Sequence, residues 1–148
     1  MLFISSTFFH DNILFSDALK ICQQNELFNI EIGSNHGYEK DYSFIKRYNE
    51  FNFLVHNYFP IPKESFVVNI ASLDAEIRKK SIAHIIKAID FSDEIGAKLY
   101  TFHPGFITDP MGANLFETNY DFQWDDKKLR NSNYEIAFKN LKTSLELI

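Results

Sequence analysis

The chain has 148 residues, of which 45% are hydrophobic, and a formal net charge of −5. This length can bury the core of one domain, so we expect a single domain over residues 1–148. An acidic chain lacks the basic surface that attracts nucleic acid and anionic membranes, which counts against both as partners. The single cysteine, Cys22, excludes an intrachain disulfide and is typical of a reducing cytoplasm, the location we expect.

The beginning of the chain favours no targeting or membrane segment. Residues 1–4 form a short apolar run that becomes polar at Ser5, without the basic region of a signal peptide. The run is also too short to cross a bilayer. We therefore interpret residues 2–5 as the first strand of the fold.

Hydrophobic patterning predicts strands that alternate with helices. Short apolar runs predict four strands, at residues 2–5, 28–32, 53–55 and 99–102. Apolar residues at helical spacing predict a first helix over residues 14–22, and a weaker pattern predicts a second over residues 38–48. Strands that alternate with helices are typical of a parallel sheet with right-handed crossovers. The predicted fold class is therefore α/β.

The third predicted helix has the clearest pattern. Ser72 or Asp74 is expected as its N-cap, and Gly96 is expected to end it in a left-handed conformation. Four isoleucines at the helical spacing i, i+3, i+4 and i+7 predict its apolar face: Ile82, Ile85, Ile86 and Ile89.

A long loop and a last helix complete the predicted elements. Residues 104–130 contain no clear period and are predicted as a loop, of the length that functional lids often have. Ser132 and Glu135 match a capping box, which predicts a final helix from that point. Its apolar face is expected to consist of residues at helical spacing, namely Phe138, Leu141, Leu145 and Ile148.

Ligand-type side chains stand near the ends of all four predicted strands. They are His10, Glu31, His56 and His103. Because the carboxyl ends of parallel strands meet at one rim, we expect these side chains on the same side of the sheet. Imidazole and carboxylate suit Zn²⁺, Mn²⁺ and similar ions, so a divalent metal site is one interpretation. Structural roles stay open, because His56 and His103 are too far apart in sequence to form a local motif.

The other histidines favour simpler roles. A lone histidine is most often a hydrogen-bonded structural residue, and we predict this role for His36 and His84. His10 is either an ordinary loop residue or a substrate contact. Cys22 falls within the first helical pattern, where a buried structural thiol is expected.

Several short runs in a fixed order resemble one family. They are His56-Asn57-Tyr58-Phe59, Val68-Asn69-Ile70-Ala71-Ser72, Arg78-Lys79-Lys80-Ser81, Gly96-Ala97 and Phe102-His103-Pro104-Gly105. This order resembles the N-terminal half of the xylose isomerase-like TIM barrel superfamily, which includes endonuclease IV and many sugar isomerases and epimerases. The resemblance implies four of the eight β/α units of a TIM barrel.

The resemblance also implies roles for the strand-end residues. His56 and His103 match histidines that ligate zinc in endonuclease IV and that border the substrate in the sugar isomerases and epimerases. Glu31 matches an acidic residue that holds substrate or an ordered water. We therefore predict His56 and His103 as ligands of a divalent metal (Zn²⁺, Mn²⁺ or Mg²⁺), and Glu31 and His10 as substrate-binding residues.

The chain departs from the family in length. A complete TIM barrel takes about 250 residues, so we expect the remaining ligands and the general base to lie outside this sequence. A fragment or truncated product is favoured over a functional half-barrel that pairs through its open sheet edges. A flavodoxin-like sheet suits the length, but residues 5–12 lack a phosphate-binding glycine pattern.

Three functions remain as hypotheses. The first is metal-dependent isomerisation or epimerisation of a small sugar or sugar phosphate, which an aromatic rim of Tyr58, Phe59 and Phe106 would favour. The second is zinc-dependent cleavage of abasic DNA, as in endonuclease IV. Acidic residues in the long loop count against it; they are Asp109, Glu117, Asp121, Asp125 and Asp126. The third is a non-catalytic half-barrel that functions by association.

Overall fold

The computed structural model describes residues 2–10, 12–113 and 122–148, and these contain the predicted parallel sheet. Its strands are β1 (Ile4–Ser5), β2 (Asn29–Ile32), β3 (Asn52–His56) and β4 (Tyr100–Thr101). They lie in the order β1-β2-β3-β4, and every neighbouring pair is parallel. The α/β prediction is confirmed, because sequential parallel neighbours are the arrangement of barrel β/α units.

Four α-helices accompany the strands in the described part of the chain. They are α1 (Phe15–Gln24), α2 (Ala75–Glu94), α3 (Asp126–Arg130) and α4 (Tyr134–Leu145). Two 3-10 helices, Ser6–Phe8 and Ser43–Arg47, complete the helical elements of these residues. None of the helices described combines the length and the apolar character that a bilayer crossing requires.

The helix predicted at residues 38–48 is only a short 3-10 helix. Asp41 accepts hydrogen bonds from the Ser43 backbone N–H (2.8 Å) and from the Ser43 hydroxyl (2.7 Å). An Asp side chain that bonds the backbone two residues later competes with α-helical hydrogen bonding. Within Ser43–Arg47 only Ile45 is buried, so little packing favours a longer helix.

Helix α2 has the predicted ends but a different buried face. Asp74 accepts from the backbone N–H groups of Glu76 (2.8 Å) and Ile77 (3.3 Å), and Gly96 has φ +66°. The buried stripe consists of Ser81, His84, Ile85, Ala88, Phe91 and Ser92, whereas Ile86 and Ile89 are each 38% exposed. Ser81 and Ser92 tolerate burial because each hydroxyl donates to the carbonyl four residues earlier.

The predicted loop at residues 104–130 contains short elements. Strands β5 (Gly112–Ala113) and β6 (Phe122–Gln123) pair antiparallel, and α3 begins after Asp125, whose carboxylate accepts from the N–H groups of Lys127 and Lys128. Residues 114–121 lie outside the described residues, and so do Glu117 and Asp121 of the acidic set. Strands of two residues are too short to show a hydrophobic period, which is why the sequence did not predict them.

Helix α4 begins one residue later than the capping-box prediction. Its N-cap is Asn133, whose Oδ1 accepts from the Ile136 N–H (3.1 Å), while Ser132 donates to the Leu129 carbonyl (2.7 Å). The predicted apolar face is not the buried one. Ala137 and Ser144 are buried, but Phe138 and Leu145 are exposed.

The chain divides into two compact units, and each has its own elements. The first unit, Met1–Lys63 and Lys87–Phe102, holds the parallel sheet, and the second, Glu64–Ile86 and His103–Ile148, holds α3, α4 and the β5–β6 pair. The prediction of a single domain over residues 1–148 stays a prediction.

Aromatic residues fill the core of the first unit. Phe59 is 0% exposed and lies 5.0 Å from the Phe15 ring, 4.7 Å from Tyr42 and 5.4 Å from Phe91, measured between ring centroids. The expectation that Phe59 lines a substrate rim is therefore wrong, because its ring is buried among these aromatic residues. Cys22 is buried in the same core, as predicted.

Candidate active site

The candidate site lies on the face of the parallel sheet that does not join the core. In β3, Phe53 and Val55 are buried in the core, whereas Leu54 and His56 are only half-buried. In β2, Ile30 and Ile32 belong to the core, and Glu31 is half-buried. Because side chains alternate along a strand, Glu31, Leu54 and His56 all project from the face opposite the core.

His56 is the last residue of β3, and its ring is held by the neighbouring strand. The register places His56 opposite Thr101 of β4, and Nδ1 of His56 lies 2.8 Å from the Thr101 hydroxyl oxygen. A hydrogen bond at Nδ1 fixes the ring orientation and means that metal ligation by this imidazole would use Nε2. Thr101 thus supports the predicted role of His56.

The backbone turns sharply after His56. Asn57 has φ +55°, in the left-handed region that Asn tolerates better than most residues. Its N–H donates to the Thr101 carbonyl (2.7 Å), and its own carbonyl accepts from the Tyr100 hydroxyl (2.9 Å). Burial raises the pKa of Tyr100, so this hydroxyl stays protonated and able to donate. The turn therefore fixes the end of β3 to β4.

Glu31 shares the face of His56, while His10 lies in a loop. Glu31 pairs with Ser5 of β1 and with Leu54 of β3, two residues before His56. Strand spacing puts the Cα atoms of Glu31 and His56 roughly 8 Å apart. His10 is exposed in the loop that precedes α1. The structure thus brings Glu31 and His56 to one face of the sheet.

His103 lies in the second unit, in a loop whose backbone is tightly bonded. It is exposed and follows β4 by two residues. The next residue, Pro104, accepts a hydrogen bond at its carbonyl from the Ile70 N–H (2.9 Å). Phe106, three residues after His103, donates its N–H to Oδ1 of Asn69 (3.0 Å). The loop that carries His103 is thus fixed by the Asn69-Ile70 turn.

His36 is a structural residue, as predicted. It is buried, its Nε2 lies 2.7 Å from the Ser6 hydroxyl, and its Nδ1 lies 3.3 Å from the Ile13 carbonyl. The Ile13 carbonyl can only accept, so the neutral ring carries its proton on Nδ1, and the Ser6 hydroxyl donates to Nε2 while its oxygen accepts from the Gly33 N–H (2.8 Å). Burial lowers the pKa of His36, which keeps its ring neutral near neutral pH.

His84 lies within α2 and is also buried. Its ring meets the Phe66 ring edge-on at a centroid distance of 5.6 Å. The ammonium of Lys80, one turn earlier on α2, lies 4.4 Å from the centroid of the same Phe66 ring. His84, near the middle of α2, therefore packs against the same aromatic ring as Lys80.

The donor set near the strand ends fits a divalent metal by its chemistry. Imidazole and carboxylate are ligands of Zn²⁺ and Mn²⁺, and the Thr101 hydroxyl supplies the outer hydrogen bond that such histidines need. Across residues 2–10, 12–113 and 122–148, no three His, Cys, Asp or Glu side chains lie close enough together to hold a metal ion. The metal site predicted at His56 and His103 therefore stays a prediction, as does the substrate-binding role of Glu31.

Comparison with known proteins assigns the chain to a family. The xylose isomerase-like TIM barrel family matches residues 38–146, which include β3, α2, β4 and both candidate metal-ligating histidines. The chain therefore belongs to the xylose isomerase-like TIM barrel family, and the predicted resemblance is confirmed.

Two curated relatives carry the name probable endonuclease 4. The protein from Petrotoga mobilis (strain DSM 10674 / SJ95) is 37% identical over 80 residues, covering 52% of this chain and 27% of that protein. The protein from Aquifex aeolicus (strain VF5) is 40% identical over 40 residues, covering 27% of this chain and 14% of that protein. The chain thus matches about a quarter or less of each relative's length.

Two residues of this region were missed by sequence reasoning. Thr101 gave no signal because its importance depends on the β3–β4 register, which a sequence does not show. Asp109 was interpreted as a rim charge, yet its two carboxylate oxygens accept from Nδ2 of Asn69 (2.8 Å) and from the Ser72 hydroxyl (2.6 Å). Its carboxylate is therefore part of a hydrogen-bond network with two neutral side chains.

Proposed function

We propose that this chain supplies active-site residues of a metal-dependent isomerase or epimerase that acts on a small sugar or sugar phosphate. The observation that carries the proposal is the pair of His56 and Thr101 at the carboxyl end of the sheet, on the face shared with Glu31. Family membership supports it, because the matched residues 38–146 include β3, β4, His56 and His103, while Glu31 lies before the matched range.

The residues of this chain have different proposed roles. His56 and His103 are the proposed metal ligands, and Thr101 keeps Nε2 of His56 as the ligating atom. The metal, when bound, polarises a carbonyl and a hydroxyl of the open-chain sugar. Glu31, with its acceptor-only carboxylate, is suited to accept hydrogen bonds from sugar hydroxyls, and exposed His10 is the second proposed substrate contact. The base that moves the proton between carbons is not assigned to a residue of this chain.

A second candidate function is phosphodiester cleavage at abasic sites in DNA. The observation in its favour is the name that both relatives carry, probable endonuclease 4. The acidic net charge of −5 argues against a surface that attracts DNA. The matched share of each relative is small, so we rank this function second.

One experiment separates the two functions. The 148-residue chain is supplied with Zn²⁺, Mn²⁺ or Mg²⁺ and incubated with a panel of aldoses, ketoses and their phosphates in D2O, and deuterium at carbon is measured by NMR. A parallel reaction offers a duplex oligonucleotide with one abasic site. Metal-dependent deuterium uptake that is lost in His56→Ala and kept in Asp126→Asn supports the isomerase. Strand cleavage without deuterium uptake supports the second candidate, and the absence of both reactions and of Zn²⁺ binding contradicts the proposal.

A further inference from the structure

The loop that carries His103 is held by one side chain, that of Asn69. Asn69 is 0% exposed, and its Oδ1 accepts from the N–H groups of Ala71 (3.1 Å) and Phe106 (3.0 Å). Its backbone N–H donates to the Ser81 hydroxyl (2.9 Å) on α2. The buried amide oxygen thus supplies a hydrogen-bond acceptor to backbone N–H groups of the turn and of the loop.

Gly105 lets the loop approach that closely. It has φ +127°, and a Cβ at this position would collide with the side chain and the Cα of Asn69. A residue other than glycine would therefore need both a strained backbone and a displaced Asn69. This contact gives a physical reason why the Asn69-Ile70-Ala71-Ser72 turn and the His103-Pro104-Gly105 loop occur in one sequence.

Asp109 bonds the opposite side of the Asn69 amide and favours the same orientation as the Ala71 and Phe106 N–H groups. An ionised carboxylate only accepts hydrogen bonds, so the atom of Asn69 beside Asp109 must be Nδ2, and Oδ1 must face Ala71 and Phe106. The second carboxylate oxygen accepts from the Ser72 hydroxyl, whose oxygen in turn accepts from the Asp74 N–H (2.9 Å). Every polar atom in this chain of contacts thus has one consistent donor or acceptor role.

We propose that Asp109 is a positioning residue for His103. Through Asn69 it holds the loop backbone at Phe106, three residues after His103, and so influences where the imidazole is presented. This inference rests on the proposed function, in which His103 ligates the metal. It differs from that function in naming a residue that touches neither metal nor substrate.

The test compares Asp109→Asn with Asp126→Asn in the 148-residue chain. Asp126 lies exposed on α3, so it receives the same chemical change outside the network. Two quantities are measured by NMR: the hydrogen-exchange rate of the Phe106 amide and the ring resonances of His103. Zn²⁺ affinity is measured separately by competition with a chelating dye. For Asp109→Asn we expect Phe106 exchange about tenfold faster, shifted His103 ring resonances and Zn²⁺ affinity about tenfold weaker.

Three results distinguish a positioning role of Asp109 from a purely structural role. Phe106 exchange and His103 resonances that match the wild type in Asp109→Asn overturn the proposal. A lower unfolding free energy with unchanged His103 resonances and unchanged Zn²⁺ affinity also overturns it, since that is the result of a purely structural role. If the wild type binds no Zn²⁺ but Phe106 and His103 respond as expected, the positioning inference stands and the metal role of His103 fails.

A second variant tests the proposal if Asp109→Asn does not fold. Ser72→Ala removes one donor to Asp109 and leaves the carboxylate and Asn69 in place. We expect smaller changes in the same direction at Phe106 and His103. An unfolded Asp109→Asn together with wild-type values in Ser72→Ala contradicts the proposal.

Discussion

The hydroxyl oxygen of Thr101 lies 2.8 Å from Nδ1 of His56, across the last register pair of β3 and β4. One hydrogen bond thus joins the carboxyl ends of two parallel strands and orients an imidazole at the same time. Outer-sphere hydrogen bonds of this kind set the tautomer and basicity of a metal-ligating histidine. If His56 ligates a metal, the loss of the Thr101 hydroxyl should therefore change the metal affinity, whereas the loss of a buried core contact should change only the stability of the fold.

Replacing Thr101 by Val removes the hydroxyl and nearly preserves the shape of the side chain. We expect Zn²⁺ affinity to fall about 10- to 100-fold, because Nδ1 of His56 loses its partner. The measurement is dye competition, supplemented by the nitrogen chemical shifts of His56. Thr143→Val, on an exposed position of α4, is the matched control and should keep wild-type affinity. Equal affinity in the two variants would show that Thr101 does not orient His56.

Gly105 and Gly96 both have positive φ, yet they should respond differently to alanine. Gly96 has φ +66° and no atom near the position of an added Cβ, so Gly96→Ala should cost only about 1 kcal/mol of backbone strain. Gly105→Ala adds a collision with Asn69, and we expect a loss of about 2–3 kcal/mol. Urea unfolding measures both variants. A Gly105→Ala protein as stable as Gly96→Ala would mean that the loop and Asn69 separate easily.

His36 predicts a pH dependence of stability. Burial lowers its pKa below the ordinary value of 6.5, partly offset by the Ile13 carbonyl and the Glu39 carboxylate. Between the lower folded pKa and about pH 6.5, the unfolded chain therefore binds more protons at His36 than the folded chain does. The contribution of His36 to stability is complete above about pH 6.5 and is lost as pH falls through the folded pKa.

The measurement is the unfolding free energy between pH 7.5 and pH 5, compared with that of His36→Gln. The variant should be less stable at neutral pH, because the Ser6 hydroxyl loses its partner, and its stability should fall less on acidification. The same acid-side slope in both proteins would assign the dependence to other groups.

The outer strands of the described sheet predict self-association. β1 and β4 each pair on one side only within that sheet, and Leu99, beside β4, is 54% exposed. Open parallel edges with apolar residues favour pairing with another chain. We expect sedimentation velocity to show concentration-dependent association that Leu99→Lys weakens and Leu129→Lys, on α3, does not. A concentration-independent monomer would exclude pairing through these edges.

The fold was largely predictable because its main elements carry local signals. β2, β3 and α2 were predicted from apolar runs, the Asp74 cap and Gly96, all of which act within a few residues. The buried face of α2 was not, because Ser81 and Ser92 become buried by bonding to their own helix. The β5–β6 pair was not predicted either, since two-residue strands are too short to show a period.

The candidate site was predictable only in its most reactive residues. His56 was identified because a histidine at a strand end is visible in sequence. Its partner Thr101, and the Asn69–Asp109 contact across 40 positions, depend on register and on loop closure. Phe59 was misassigned to the rim because a sequence does not show on which side of a turn an aromatic ring packs.

The most direct measurement of the central claim is Zn²⁺ binding by isothermal titration calorimetry. The 148-residue chain is compared with His56→Ala, His103→Ala and the control His84→Ala, which removes a histidine buried within α2. We predict that wild type and His84→Ala bind Zn²⁺ and that each of the other two variants loses at least about tenfold in affinity. Wild-type affinity in both His56→Ala and His103→Ala would contradict the metal role of these histidines.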